Sequence, residues 1–121
     1  MIKKDVLSEK SFDFAVKILR LTEKLRANKE YVVSSQLGKS GTSIGANVRE
    51  ARFAQGKKDF VSKLEIASKE ANETCYWLEL ACEVGYIDKN EFDELFTQCN
   101  ELLSILSASC CTAKSNLKNE K

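Results

Sequence analysis

The chain contains no proline in 121 residues and only five glycines. Proline builds the rigid turns that β-sandwiches and barrels need, and it interrupts helices, so its complete absence favours long helices joined by short loops. The length fits one ordinary domain, and a hydrophobic fraction of 43% is enough to form a core. We therefore expect residues 1–121 to form a single all-α domain.

Four segments repeat apolar residues at the period of a helix, over approximately residues 8–27, 30–53, 57–84 and 88–117. Three short connections between four helices predict an antiparallel, up-down-up-down four-helix bundle.

The first segment shows the helical period most clearly. Ser8 or Ser11 is expected to cap its start. Side chains flanking the apolar stripe are expected to widen the buried face, because a bundle core needs more than a thin seam. The stripe consists of Phe14, Ile18, Leu21 and Leu25, and its flank of Phe12, Val16 and Leu19.

The second segment carries three glycines, Gly38, Gly41 and Gly45, that share one helix face. Each costs roughly 1 kcal/mol relative to alanine inside a helix. One interpretation is a ridge of small residues that lets another helix, or another subunit, approach closely. The alternative is that the glycines divide the segment into two short helices. The apolar stripe continues in phase across them, which favours close packing.

Residue types that carry common chemistries are missing. Histidine is absent, which excludes a Ser-His-Asp triad and an imidazole metal ligand. No two of the five cysteines have Cys-x-x-Cys spacing, and no glycine-rich nucleotide-binding loop is present. We predict no enzymatic activity, no metal and no cofactor. Buried thiols of a reducing compartment are the simplest interpretation of the cysteines, while a redox role of the Cys110-Cys111 pair stays open.

The sequence has no apolar leader and no stretch of about 18 apolar residues that could cross a membrane. A cytoplasmic location without membrane contact is the resulting expectation.

The net charge of +1 hides an uneven distribution along the expected bundle. The chain start, the second-to-third turn and the chain end would meet at one end, which we call the basic pole. Helix dipoles explain cations at the ends of helices two and four, but not Lys57 and Lys58 at the start of helix three. The cations of the basic pole are Lys3, Lys4, Lys10, Arg49, Arg52, Lys57, Lys58, Lys114, Lys118 and Lys121, and its anions are Asp5, Glu9, Glu50, Asp59 and Glu120.

Several motifs from the second segment onward belong together. They are Ser43-Ile44-Gly45-Ala46-Asn47-Val48-Arg49-Glu50, Lys58-Asp59-Phe60, Ile66-Ala67, Lys69-Glu70-Ala71-Asn72-Glu73-Thr74, Tyr76-Trp77-Leu78-Glu79-Leu80 and Gly85-Tyr86-Ile87. This set of motifs resembles the 23S rRNA-intervening sequence protein family, which is related to the accessory protein of diversity-generating retroelements. The resemblance implies a four-helix bundle assembled as a homopentameric barrel. It also implies a role in binding nucleic acid and a protein partner such as a reverse transcriptase.

Two functions of different classes follow from the sequence. The first is a non-enzymatic homo-oligomeric scaffold that binds RNA or DNA weakly and non-specifically through the basic pole. The second is a protein–protein interaction module with no nucleic-acid binding. The first hypothesis uses Lys39, Arg49, Arg52, Lys57 and Lys58, and oligomer or close helix contacts are assigned to Gly38, Gly41, Gly45, Tyr76 and Trp77.

Overall fold

A computed structural model describes residues 5–118, which contain four α-helices and no strand. The basic-pole residues Lys3, Lys4, Glu120 and Lys121 lie outside this range. No helix within residues 5–118 carries an apolar stretch that could cross a bilayer. The helices are α1 (Val6–Ala27), α2 (Tyr31–Arg52), α3 (Lys57–Glu83) and α4 (Lys89–Lys118).

The glycine-bearing segment is one continuous helix, because α2 runs without a break from Tyr31 to Arg52. The alternative of two short helices is therefore wrong. Packing of the glycine face against a neighbouring helix offsets the low helix propensity of glycine.

The start of α1 differs from the expectation. Asp5, rather than Ser8 or Ser11, is the N-cap, and its Oδ1 accepts a hydrogen bond from the Ser8 backbone N at 2.7 Å. Ser11 lies inside the helix, where its hydroxyl donates to the Ser8 carbonyl oxygen. An aspartate at the N-cap satisfies a helix N–H that would otherwise lack a partner, so the helix begins two residues earlier than predicted.

Both α1 and α3 end in a turn that contains a residue with positive φ. After α3 this residue is Gly85, with φ of 83°, and Tyr86 N donates to the Ala81 carbonyl oxygen at 2.8 Å. After α1 it is Lys29, with φ of 65°, and Glu30 N donates to the Leu25 carbonyl oxygen at 2.9 Å. These hydrogen bonds are those of a Schellman motif. The turn after α3 has glycine at this position, the residue type that positive φ favours, whereas the turn after α1 has a lysine.

The helices are arranged as a ring in the order of the chain. α2 packs against α1 and α3, α3 packs against α4, and α1 and α4 meet less extensively. Across the α1–α4 seam, lysines spaced seven residues apart form ion pairs at 2.9 to 3.3 Å. The pairs are Lys10 with Glu101, Lys17 with Glu94 and Lys24 with Glu91.

The core consists of one apolar stripe from each helix. Leu37, Ile44, Leu78 and Leu106 are fully buried at its centre, together with Ile18. Burying each such side chain contributes about 1.5–3 kcal/mol relative to leaving it in water.

The predicted widening of the α1 stripe is wrong at two positions. Phe12 is 58% exposed and Leu19 is 54% exposed, so both lie on the outer surface of α1. Both line a surface groove between α1 and α2, where α2 leaves them largely exposed. Val16 between them is half-buried.

Two hydroxyl groups lie in the core between α2 and α3. Ser40 and Thr74 are almost completely buried, and their hydroxyl oxygens are 2.9 Å apart. Thr74 Oγ1 also bonds to the Glu70 carbonyl oxygen at 2.8 Å. A buried hydroxyl needs a partner, so this pair favours one register of α2 on α3.

Candidate nucleic-acid interface

Four cationic side chains converge where α2 ends and α3 begins. Arg49 and Arg52 lie in the last turn of α2, and Lys57 and Lys58 are the first two residues of α3. Because only four residues separate these helices, both pairs are held at the same end of the bundle. We call this group of four residues the basic patch.

The segment of the chain that carries the basic patch has a net positive charge. Residues 49–63 contain five cations and two anions, which gives a net charge of +3. Glu50 Oε1 pairs with Lys63 Nζ at 3.2 Å, and Asp59 Oδ2 accepts a hydrogen bond from Gln55 N at 3.3 Å. The anions thus have partners of their own next to the patch. Arg49, Lys57 and Lys58 are exposed.

Arg52 is the anchored member of the patch. It is half-buried, and its Nη1 donates a hydrogen bond to Ser8 Oγ of α1 at 3.3 Å. This bond fixes the guanidinium across the α1–α2 junction. A fixed cation loses less conformational freedom on binding an anion than a mobile one.

Elsewhere in the basic pole, acidic side chains from α3 and α4 compensate the cations. Lys10 pairs with Glu101 at 3.1 Å, and Lys114 pairs with Glu65 at 2.7 Å. The hydrogen bond and the charge of Glu65 raise the pKa of Lys114. Glu65 and Glu101 are distant in sequence from the lysines with which they pair. The anions assigned to the basic pole from the sequence therefore did not include them. Lys10 and Lys114 are therefore paired with acidic side chains at this end of the bundle.

Lys39 does not belong to the basic patch. It is exposed on α2, ten residues before Arg49, which corresponds to about 15 Å along a helix axis. The structure therefore brings together four of the five residues that the sequence suggested for nucleic-acid contacts, and it leaves Lys39 apart.

The three glycines of α2 face α1 of the same chain. A Cβ atom on Gly41 would lie 2.8 Å from Cγ2 of Ile18, and one on Gly45 would lie 3.4 Å from the Ser11 carbonyl oxygen. One on Gly38 would make an ordinary contact with Thr22 Cγ2 at 3.6 Å. The ridge thus lets α1 and α2 approach closely inside the bundle.

Tyr76 and Trp77 form an aromatic pair on the outer side of α3. Their rings meet edge to face with centroids 5.0 Å apart, and Trp77 Nε1 donates to Glu73 Oε2 at 3.1 Å. Tyr76 is 56% exposed, whereas Trp77 is half-buried against the core. Tyr76 is thus the member of the pair that another molecule could reach.

A surface groove of about 950 Å³ runs between α1 and α2, and we call it the α1–α2 groove. Its walls carry the exposed Phe12 and Leu19, small residues form much of its floor, and both arginines of the basic patch line it. The lining consists of Ser8, Glu9, Ser11, Phe12, Asp13, Ala15, Leu19, Thr42, Gly45, Ala46, Arg49, Glu50 and Arg52.

The sequence reasoning also missed Phe53. This residue caps the end of α2 and is 62% exposed, between Arg52 and the turn that leads to Lys57. A signal was available, because Phe53 lies outside the α2 stripe, in a short connection with cations on either side of it.

The cysteines are free thiols in different surroundings. Cys75, Cys99 and Cys110 are buried, while Cys111 is exposed. A hydrogen bond with Cys75, together with burial, raises the pKa of Cys99, and burial raises the pKa of Cys110. Within residues 5–118, no three acidic or cysteine side chains are grouped so that they could hold a metal ion.

Comparisons with known proteins identify similar sequences and a similar structure. The family model described as 23S rRNA-intervening sequence protein matches residues 3–108. A crystal structure of a protein of unknown function from Bacteroides thetaiotaomicron, assigned to the S23 ribosomal protein family, is 45% identical, with a TM-score of 0.85. The similarity covers 87% of this chain and 98% of that one. No curated protein matches.

Proposed function

Because the chain belongs to the 23S rRNA-intervening sequence protein family, we propose that it is a non-enzymatic homo-oligomeric scaffold whose basic patch binds RNA or DNA. The four-cation cluster around the α2–α3 turn carries this proposal. A site for phosphates needs several cations within reach of one strand, and a turn that joins two rigid helices holds them in fixed positions.

The patch is suited to the nucleic-acid backbone rather than to base edges. Lysine and arginine at a helix end neutralise phosphates, which every sequence presents alike. Binding is therefore weak, tolerant of sequence and steeply dependent on salt. The acidic residues of the same bundle restrict this binding to one end of each chain.

The α1–α2 groove supports self-association. Phe12 and Leu19 are seven residues apart on one face of α1, so their exposed side chains form a stripe suited to a helix of a second copy. The resemblance to the family implies five copies in a barrel. Lys10 of α1 pairs with Glu101 of α4, and Lys24 pairs with Glu91, so residue numbers rise along α1 where they fall along α4. This order supports an antiparallel, up-down-up-down bundle as the single domain of each copy.

Salt-dependent binding of a short unstructured oligoribonucleotide tests the basic patch. The double variant Lys57→Ala/Lys58→Ala removes two phosphate contacts, so the slope of log K against log salt should become shallower by about 1.4 for a single strand. The matched control is Arg26→Ala/Lys29→Ala. It removes the same charge where α1 ends, whereas the basic patch contacts the start of α1 through Ser8. Equal binding by the parent and both variants would exclude the basic patch as the nucleic-acid binding site.

A protein–protein interaction module is the second candidate, and the exposed Phe12 and Leu19 of the α1–α2 groove favour it. In this case the groove binds an apolar segment of another protein, and the arginines at its end bind acidic residues of that partner. This candidate predicts that the purified chain binds no polyanion at any salt concentration. The oligoribonucleotide titration therefore separates the two functions.

A further inference from the structure

An exposed aromatic ring lies inside the basic patch. Phe53 ends α2 with 62% of its surface exposed. All three phenylalanines of α3 and α4 pack against the core, namely Phe60, Phe92 and Phe96. Phe53 is instead mostly exposed, although burial is the favourable environment for this side chain. Packing within the bundle therefore does not account for most of the surface of this ring.

Cations lie on both sides of Phe53 in the sequence. Arg49 is four residues earlier, on the same face of α2, and Arg52 directly precedes Phe53. Lys57 and Lys58 follow across the α2–α3 turn. A nucleic-acid backbone held by these cations would pass within reach of the ring.

We propose that Phe53 stacks on an unpaired base, so that the basic patch prefers single-stranded RNA or DNA to a duplex. This inference rests on the nucleic-acid binding proposed above and names the form of nucleic acid bound. An aromatic ring next to a cationic surface binds the face of a base, and every base has such a face, so sequence tolerance is retained. In a duplex both faces are covered by neighbouring base pairs. Stacking therefore adds affinity only for unpaired nucleotides.

The stacking contribution and the phosphate contribution respond differently to salt. Phosphate contacts release counterions and set the salt slope, while stacking releases none. Removal of the Phe53 ring should weaken binding equally at all salt concentrations. Removal of Lys57 and Lys58 should change the slope. This difference separates the role of the ring from that of its cationic neighbours.

The test compares an unstructured oligoribonucleotide with a duplex of the same length, using Phe53→Ala, Phe53→Leu and Phe53→Trp. Phe53→Ala should weaken single-strand binding by about fivefold or more, with an unchanged salt slope and unchanged duplex binding. Phe53→Leu keeps an apolar side chain without an aromatic face, so it should lose affinity as the alanine variant does. Phe53→Trp should retain the affinity of the parent.

The other outcomes overturn the inference in distinguishable ways. If Phe53→Leu binds the single strand as the parent does, stacking is absent while the proposed nucleic-acid binding stands. If Phe53→Ala and Phe53→Leu lower the mass of the assembly in light scattering, Phe53 is a contact between copies instead. If the parent binds neither nucleic acid at low salt, the proposed function itself fails, and the stacking role fails with it.

Discussion

A Cβ atom on Gly41 would lie 2.8 Å from Cγ2 and 3.0 Å from Cγ1 of Ile18. Ile18 is fully buried, and its branched side chain has little freedom to rotate away. The absence of a side chain at residue 41 therefore sets how closely α1 and α2 approach. Gly45, one turn further along α2, lines the α1–α2 groove.

Gly41→Ala should lower the free energy of unfolding, despite a gain of about 1 kcal/mol in helix propensity. Overpacking a dense core costs about 1–3 kcal/mol, which equals or exceeds that gain. Gly38→Ala is the matched control in the same helix, since its new methyl group would meet Thr22 at an ordinary 3.6 Å. It should raise stability by up to about 1 kcal/mol. Urea denaturation of both variants checks the prediction, and a stabilising Gly41→Ala would contradict the account of this contact.

Lys29→Gly should stabilise the bundle by about 0.5–1 kcal/mol. Lys29 has φ of 65° in the turn after α1, a conformation that costs a residue with a Cβ atom more than it costs glycine. Lys29→Ala removes the same charge but keeps the Cβ atom, so it should show no such gain. Thermal unfolding of the two variants separates the backbone effect from the charge effect. An equal effect of both substitutions would indicate that charge is responsible.

Thr74→Val should destabilise the protein by about 1–3 kcal/mol, because it leaves the buried hydroxyl of Ser40 without its partner. Adding Ser40→Ala removes the stranded hydroxyl. The double variant should therefore be less destabilised than the two single variants added together. A complete double-mutant cycle by chemical denaturation measures this coupling. Additive effects would mean that the two hydroxyls do not depend on each other.

Cys111 should react with a thiol reagent before the other cysteines. It is exposed on α4, whereas the neighbouring Cys110 is buried and burial raises its pKa, which lowers its thiolate fraction at neutral pH. Labelling of the native protein at pH 8 should show a fast phase that Cys111→Ser removes. Cys110→Ser should leave that phase intact. A fast phase that survives Cys111→Ser would show that the half-buried Cys82 or an interior thiol reacts as fast.

The helical period predicted the four helices well, because each helix needs one continuous apolar stripe and the sequence provides it. At the ends, Asp88 and Gly85 behave as their residue types suggest. Asp88 Oδ1 accepts a hydrogen bond from Glu91 N at 2.8 Å, and Gly85 adopts positive φ. Local chemistry of this kind acts over a few residues and can be read directly from the sequence.

Sequence reasoning failed where the answer depends on which surfaces meet. Phe12 and Leu19 have the hydrophobicity of core residues, but only the placement of α2 and α4 decides whether anything covers them. Similarly, Glu65 and Glu101 neutralise part of the basic pole from positions distant in sequence. The clustering of Arg49, Arg52, Lys57 and Lys58 was predictable, because a short turn between two helices allows few alternatives.

The central claim is a homo-oligomeric scaffold that binds nucleic acid. Light scattering on the purified protein, with and without a short unstructured RNA at low and moderate salt, tests it most directly. The account predicts an assembly of about five 13.6 kDa chains whose mass rises with RNA at low salt and falls back as salt increases. A single-chain mass, or an assembled mass that RNA leaves unchanged at every salt concentration, would contradict it.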